Sequence, residues 1–499
     1  MKNISIYVTL QPSVSIDILH YLEKRKMKIL LLILFLFSGA LLMTHCRHTS
    51  DSEIQPVTDS KDNLPNIVFL LADDQRFDAL GVAGNPIIKT KSLDSLADNG
   101  LYFTNANVTS SICCISRASI LSGQYARRHK IWDFNSNFTA TAFEDTYPML
   151  LKKAGYKTGF IGKFGVGNNA PGEKFDFWRG FNGQGNYITK DAEGKPIHIL
   201  KLNEQEITTF INQYGTGKTP FFLQVSFKAP HAQDENPAGE EFVFDPSYSG
   251  FYNGIKWELP EAAKSQYFNY FPKIFTDKNE ARARWQKRFS SPGLISKTMG
   301  GYYRLIQQMD DVTGSLMAQL RQKNLDKNTI IIYASDNGYY LGEYGFADKW
   351  YGSQPSIRVP LIIYDPRKNA PHGIRSPNLA LNIDIAPTIL NFAHITPPSK
   401  MQGQSLAQPN SIDDRKDFFY EHLWTDGSTY IPSTEGVVSS QYKYMRYFKG
   451  MDSTHLIFEE LYDLKNDPNE IDNLSNKPEN EIMKNSMKNR LWALKKEVQ

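Results

Sequence analysis

Cysteine is nearly absent from this chain: three occur in 499 residues, at Cys46, Cys113 and Cys114. Adjacent cysteines are a poor geometric match for a disulfide, so a stapled scaffold is excluded and stability has to come from an ordinary core. Net charge is also missing. Lysine and arginine number 56 against 53 acidic residues, leaving +3, which excludes the whole-molecule field of a nucleic-acid binder. An anionic ligand would have to be met by a local cluster of cations. Histidines number only ten, and repeats and low-complexity runs are absent. What is present is bulk: 41% hydrophobic and 13% aromatic residues, enough for one large domain with an appendage or two to three small ones.

The longest apolar run, Ile29–Phe37, is short for a membrane span. It follows Lys26, Met27 and Lys28 and continues through Ser38, Gly39 and Ala40 to Cys46. A positive segment before a short apolar stretch reads as a signal peptide, so residues 1–46 are expected to be a signal region, with translation starting at Met27. Leu42-Met43-Thr44-His45-Cys46 loosely resembles a bacterial lipobox, although His45 stands where a small residue is usual. Cys46 is thus a candidate lipid anchor, with simple cleavage nearby as the alternative. The expected location is the periplasm or cell surface, and residues 47–63 read as a polar tether. In such an oxidising compartment, two unbridged thiols at 113 and 114 are either small buried apolar groups or part of the chemistry.

Short apolar runs ending in charged residues recur along the chain. Ile67–Leu71 ends at Asp73 and Asp74, and Lys157–Ile161 at Lys163. Phe221–Phe227 ends at Lys228 and His231, and Thr329–Ala334 at Asp336 and Asn337. Helical spacing lies between them, at Thr90–Asn99 and Tyr302–Leu320. The alternation predicts an α/β fold with a mostly parallel central sheet sandwiched by helices. Ligands of such sheets lie beyond the carboxyl ends of the strands, where all of these charged clusters fall. Pro360–Asp365 reads as a further strand and Asp384–Phe392 as a helix. The catalytic domain is expected over 64–405, with an aromatic-rich insertion at about 236–292 lying over the active face. A smaller C-terminal α+β subdomain is expected over 406–499, with strands at Glu435–Val438 and Tyr442–Tyr447 and a closing helix near Glu481–Lys496.

The densest motif is Cys113-Cys114-Ile115-Ser116-Arg117-Ala118-Ser119-Ile120-Leu121-Ser122-Gly123. Helix-like spacing from Ser116 places Cys113 near a helix N-terminus, where free N–H groups stabilise negative charge, and Arg117 adds a cation one turn on. The segment resembles the signature of the type I, formylglycine-dependent sulfatases of the alkaline phosphatase superfamily. The likeness runs from about Asn66 to Leu474 and includes Asn66–Arg76, Lys228–His231, Ser335–Lys349, Ser356–Pro360, Asp384–Leu390 and Glu460–Leu474. Ile115 departs from it, standing where the family has Pro or Ala.

The resemblance implies that a maturing enzyme oxidises Cys113 to formylglycine. One hydroxyl of the hydrate would attack sulfur and expel the alcohol, and the other, once deprotonated, would collapse the sulfated intermediate back to the aldehyde and release sulfate. It also implies a calcium ion held by Asp73, Asp74, Asp336, Asn337 and the modified Cys113, since oxygen donors suit a hard cation. Paired acids at strand ends can equally be helix caps. Arg117, Lys163 and Lys349 would hold the sulfate, and His231 would protonate the leaving alkoxide. Many relatives carry a histidine at the position of Gly165, and some at that of Tyr344. His129 is a candidate replacement for the first.

The expected substrate is a sulfated carbohydrate, with ulvan and host glycosaminoglycans both in range and the aromatic insertion available to stack on sugar faces. Two alternatives stand beside it. One is a phosphodiesterase or phosphonate hydrolase of the same superfamily, disfavoured by Asn337 in place of histidine and by the few histidines near strand ends. The other is a lipoprotein that binds sulfated glycans without turnover because Ile115 blocks maturation.

Overall fold

In the computed structural model, residues 64–272, 275, 278–408, 415–423 and 431–499 are described. The signal region with Met27, the tether and Cys46 lie outside them. The central sheet has eight strands: β1 (Asn66–Asp73), β2 (Leu101–Phe103), β3 (Lys157–Lys163), β4 (Phe177–Phe181), β5 (Phe221–Pro230), β6 (Thr329–Ser335), β7 (Leu361–Tyr364) and β8 (Ile374–Ser376). Their spatial order is β8-β2-β7-β6-β1-β5-β3-β4. All neighbours pair in parallel except at β7, which runs against both β6 and β2.

Side chains alternate across a strand, and here both faces are covered. Ile67, Phe69 and Leu71 enter one core, while Val68, Leu70 and Ala72 enter the other. This is why β1 and β6 read as unbroken apolar runs. On the first face lie α2 (Cys113–Ser122), α3 (Tyr147–Lys153) and α7 (Ile385–Phe392), through Ile115, Leu151 and Ile389 among others. On the second lie α1 (Lys91–Asp98), α4 (Ile199–Tyr214) and α6 (Pro292–Gln322), through Leu93, Phe210 and Ile306. A separate antiparallel sheet of β9 (Asp417–His422), β10 (Ser433–Ser439), β11 (Tyr442–Phe448) and β12 (Leu456–Asp463) follows, with α8 (Glu481–Glu497) packed on it.

Differences from the sequence reading have local causes. Helix α6 begins at Pro292, ten residues before Tyr302. Gly300 and Gly301 lower its apparent propensity, but a Cβ on Gly301 would lie 2.6 Å from Phe242 Cβ, so close packing requires the glycine. The segment Asn236–Pro292 contains α5 (Glu280–Phe289). Its Phe268 and Phe271 pack on Phe346, and Phe271 also on Tyr344, in the loop before Lys349. No helix among the described residues is long and apolar enough to cross a membrane.

Candidate active site

β1 runs straight to Asp73, and the next residue, Asp74, turns into the left-handed region with φ 70°. Such a conformation is uncommon outside glycine and clusters at functional sites. In an extended chain, consecutive carboxylates would point to opposite faces. Here Asp73, Asp74, Cys113 and His231 present ligand atoms that all lie within 4.8 Å of one another.

Cys113 is the first residue of α2. It follows the extended Ile112, no side chain caps the helix start, and Gly123 ends it with φ 65°. The thiol is fully buried and donates to Asp73 Oδ1 at 3.3 Å. Arg117, one turn along, gathers the strand ends. Its Nε meets Asp336 Oδ2 at 2.7 Å, and Nη2 lies 3.4 Å from Asp73 Oδ2. Its Nη1 donates to the Lys163 carbonyl at 2.8 Å and to Ser226 Oγ at 2.6 Å. Lys163 Nζ pairs with Asp73 Oδ2 at 2.5 Å and donates to Gln184 Oε1 at 2.6 Å.

Asp74 has its own attendants. Lys349 Nζ lies 2.8 and 2.7 Å from its two oxygens, and Asn337 Nδ2 donates to Oδ1 at 2.6 Å. His231 Nε2 lies 3.6 Å from Asp74 Oδ2, and its Nδ1 bonds the Ala232 carbonyl at 2.5 Å, which fixes the proton on Nδ1 in the neutral ring.

The electrostatics divide the pair. Burial opposes ionisation of Asp73, but Lys163, His231, Arg117 and Lys349 together hold its carboxyl well below the ordinary range. Burial lifts Asp74, with Asp73, Asp348 and Asp336 adding to the rise and Lys349 opposing it. Burial and then Asp73 push the Cys113 thiol well up, so the unmodified side chain is a neutral thiol and a weak nucleophile. Burial and Lys349 keep the His231 imidazole low.

The donor set fits a hard cation. Asp73 and Asp74 offer carboxylate oxygens, and Asn337 Oδ1 is buried with no hydrogen-bond partner among the described residues. That combination suits an oxygen-liganded ion such as calcium. Asp336 is engaged by the same kind of contacts as Asp73 and Asp74, its oxygens serving Arg117 Nε and the Asp74 N–H at 3.1 Å.

At Gly165, φ is 71° and a Cβ would lie 2.7 Å from Arg117 Cδ, so a side chain there would collide. His129 does not take its place. Its Nε2 bonds Ser119 Oγ at 3.0 Å and its Nδ1 accepts the Ile131 N–H at 3.1 Å, away from the thiol. Tyr344 donates to the Asn469 carbonyl at 2.7 Å and is buried.

Four participants escaped the sequence reading. Gln184 and Ser226 hold the site's cations, and Arg284 and Arg288 of α5 grip Asp348 at 2.9 and 3.2 Å, beside Lys349. For Gln184 the available signal was a glycine on either side, at 183 and 185.

Residues 65–395 match the family model described as sulfatase, and residues 342–497 match that for the C-terminal part of N-sulphoglucosamine sulphohydrolase. The chain belongs to the sulfatase family. As such it is a sulfuric ester hydrolase. This sulfatase is 27% identical over 483 residues to an N-acetylglucosamine-6-O-sulfatase of Bacteroides thetaiotaomicron, covering 83% of each chain. It is also 27% identical over 451 residues to an ulvan-active sulfatase of Formosa agariphila, covering 85% of this chain and 79% of that one. A solved complex with D-glucosamine-2-N,6-O-disulfate as substrate shares the fold, with a TM-score of 0.75 at 24% identity over 87% of the sulfatase and 98% of the solved chain.

Proposed function

We propose that this sulfatase removes sulfate from a sulfated carbohydrate, an amino sugar of the glycosaminoglycan kind first, using calcium and a formylglycine made from Cys113. The observation that carries the reading is a fully buried thiol at an uncapped helix start, set among Asp73, Asp74 and three cations. The relatives' names favour an amino sugar over ulvan, which stays in the range to be tested.

Asp73, Asp74, Asp336, Asn337 and the modified Cys113 would hold calcium, and the ion would supply positive charge against the sulfate. Oxidation of Cys113 to formylglycine would provide the hydrated nucleophile that a neutral thiol is not. Arg117, Lys163 and Lys349 offer their charge to the sulfate oxygens in a dry site, where it acts most strongly. His231 gives a proton to the leaving alkoxide from Nε2. It needs that second proton first, and an anionic ester bound nearby offsets the Lys349 charge that now opposes it. Export to the periplasm or surface, with Cys46 as lipid anchor, belongs to the same reading and rests on Lys26–Cys46.

The test is a sulfate-release assay with calcium-loaded protein co-expressed with a maturing enzyme. Substrates are N-acetylglucosamine 6-sulfate, other sulfated oligosaccharides including ulvan fragments, and matched phosphate and phosphonate esters. Sulfated sugars should turn over far faster, and mass spectrometry of the Ser111–Arg117 peptide should show an aldehyde at Cys113. A preference for phosphate or phosphonate esters would favour the rival hydrolase reading. Two unmodified thiols and no release would favour a glycan-binding protein without turnover.

A further inference from the structure

Among the described residues, one buried cation beside the site has no carboxylate partner. Between β1 and β5, Leu71 pairs with Ser226, but Asp73 pairs with Pro230. Two steps along β1 therefore face four along β5, and the surplus forms a bulge with Lys228 at its middle. Bulges beside active sites re-aim side chains. Here the bulge delivers an ammonium to the group that holds Lys163. Lys228 Nζ donates to the backbone carbonyl of Gln184 at 3.1 Å, while the side chain of the same Gln184 accepts from Lys163 Nζ. The ring of Tyr187 lies 5.0 Å from the Lys228 ammonium.

The two lysines differ in what balances them. Lys163 is paired with Asp73. Lys228 is 1% exposed and makes no ion pair among the described residues. An ammonium carries three donors, and a buried charge met by one carbonyl and one ring is costly unless an anion completes it. A residue serving only the fold at this position would do better without its charge.

We propose that Lys228 is a further substrate-binding residue, which takes an oxygen of the ester sulfate alongside Lys163, and that Gln184 is the positioning residue that sets the two amines side by side. The inference rests on the sulfate-ester activity of the family and is independent of which sugar carries the ester.

Three readouts test it on the matured, calcium-loaded enzyme, using Lys228→Met and Lys228→Arg. With para-nitrophenyl sulfate, whose only anion is the ester itself, Lys228→Met should lower kcat/KM roughly ten- to hundred-fold. Inhibition by inorganic sulfate should weaken by a similar factor, with Lys228→Arg restoring part of both. Without sulfate, Lys228→Met should melt at or above the wild-type temperature, because it removes an unbalanced buried charge, and the rise in Tm that sulfate gives the wild type should vanish. A Lys228→Met protein that is less stable or unfolded would mark the lysine as structural and overturn the proposal. So would sulfate inhibition within about twofold of wild type, or a loss confined to sugars bearing a second anionic group. The sulfate-dependent Tm requires no turnover, so its outcome stands apart from the choice of glycan.

Discussion

The charges around Cys113 fall into two halves held by different means. Asp73, Lys163 and Asp336 sit at or just past the ends of regular parallel strands, and Arg117 sits in the first turns of a helix. Their positions follow from a hydrogen-bonded sheet in which β1 with β6, and β3 with β5, keep one register along their paired length. Asp74, His231 and Lys349 sit in irregular chain. Asp74 is left-handed, and Lys349 lies between Asp348 and Trp350, which have φ of 80° and 83°. The regular support of that loop is a two-residue antiparallel pair, Tyr340–Leu341 with Ala347–Asp348, which stops before Lys349. Beyond it, Asp348 is held at one oxygen by Lys349 at 3.0 Å and at the other by Arg284 and Arg288. Arg288 also reaches Asp234, three residues past His231, at 2.5 Å. One half is aligned by backbone and the other by buried charge.

The largest expected effect comes from breaking the first half. Arg117→Leu leaves Asp73 and Asp336 buried without their shared cation. Unfolding free energy should drop by about 3–5 kcal/mol in urea titrations, with sulfate release falling below detection. A loss under about 1 kcal/mol would show that the sheet alone can seat both carboxylates.

A middle-sized effect probes the second half. Asp348→Asn keeps the shape and removes the charge, while Asp234 and Glu241 still occupy Arg288. Steady-state kinetics should show kcat/KM reduced roughly ten- to hundred-fold through a misplaced Lys349, with calcium affinity little changed. An unchanged kcat/KM would mean the loop holds Lys349 without this clamp.

The smallest effect lies outside both halves. Gly123→Ala puts a side chain at φ 65°, the left-handed cap of α2, with Met401 and Ala386 side-chain atoms at 3.2–3.3 Å. Stability should fall by about 1–2 kcal/mol by thermal melt, with kcat unaltered. A drop in kcat with normal stability would show that the far end of the helix is coupled to Cys113 at its start.

This division also explains what could be read from sequence. β1, β5 and β6 were legible because runs buried on both faces are apolar throughout, and their charged ends stand out against them. The adjacent acids and the cations near strand ends followed from that contrast, whereas Cys113 and Arg117 stood out through the likeness of Cys113–Gly123 to the family signature. The remainder had no periodic signature. β2 has three residues and β4 five, too few to show a pattern. β9 and β12 lie among polar segments. Arg284 and Arg288 resemble any solvated helix face until Asp348 is seen against them. The bulge in β5 is a property of pairing between strands, so no single segment displays it.

The complete burial of Cys113 carries a consequence for the life history of the molecule. Its thiol is 0% exposed, and the whole of α2 is buried with it. If Cys113 is oxidised as proposed, an enzyme that must surround the side chain cannot do so once β1, β6 and α7 have closed around this helix. Maturation then has a deadline set by folding. Chains that fold quickly in a host with little maturing activity are sealed with the thiol intact, and no later treatment of the folded protein recovers them. The yield of active molecules becomes a race between two rates, decided before the structure described here exists.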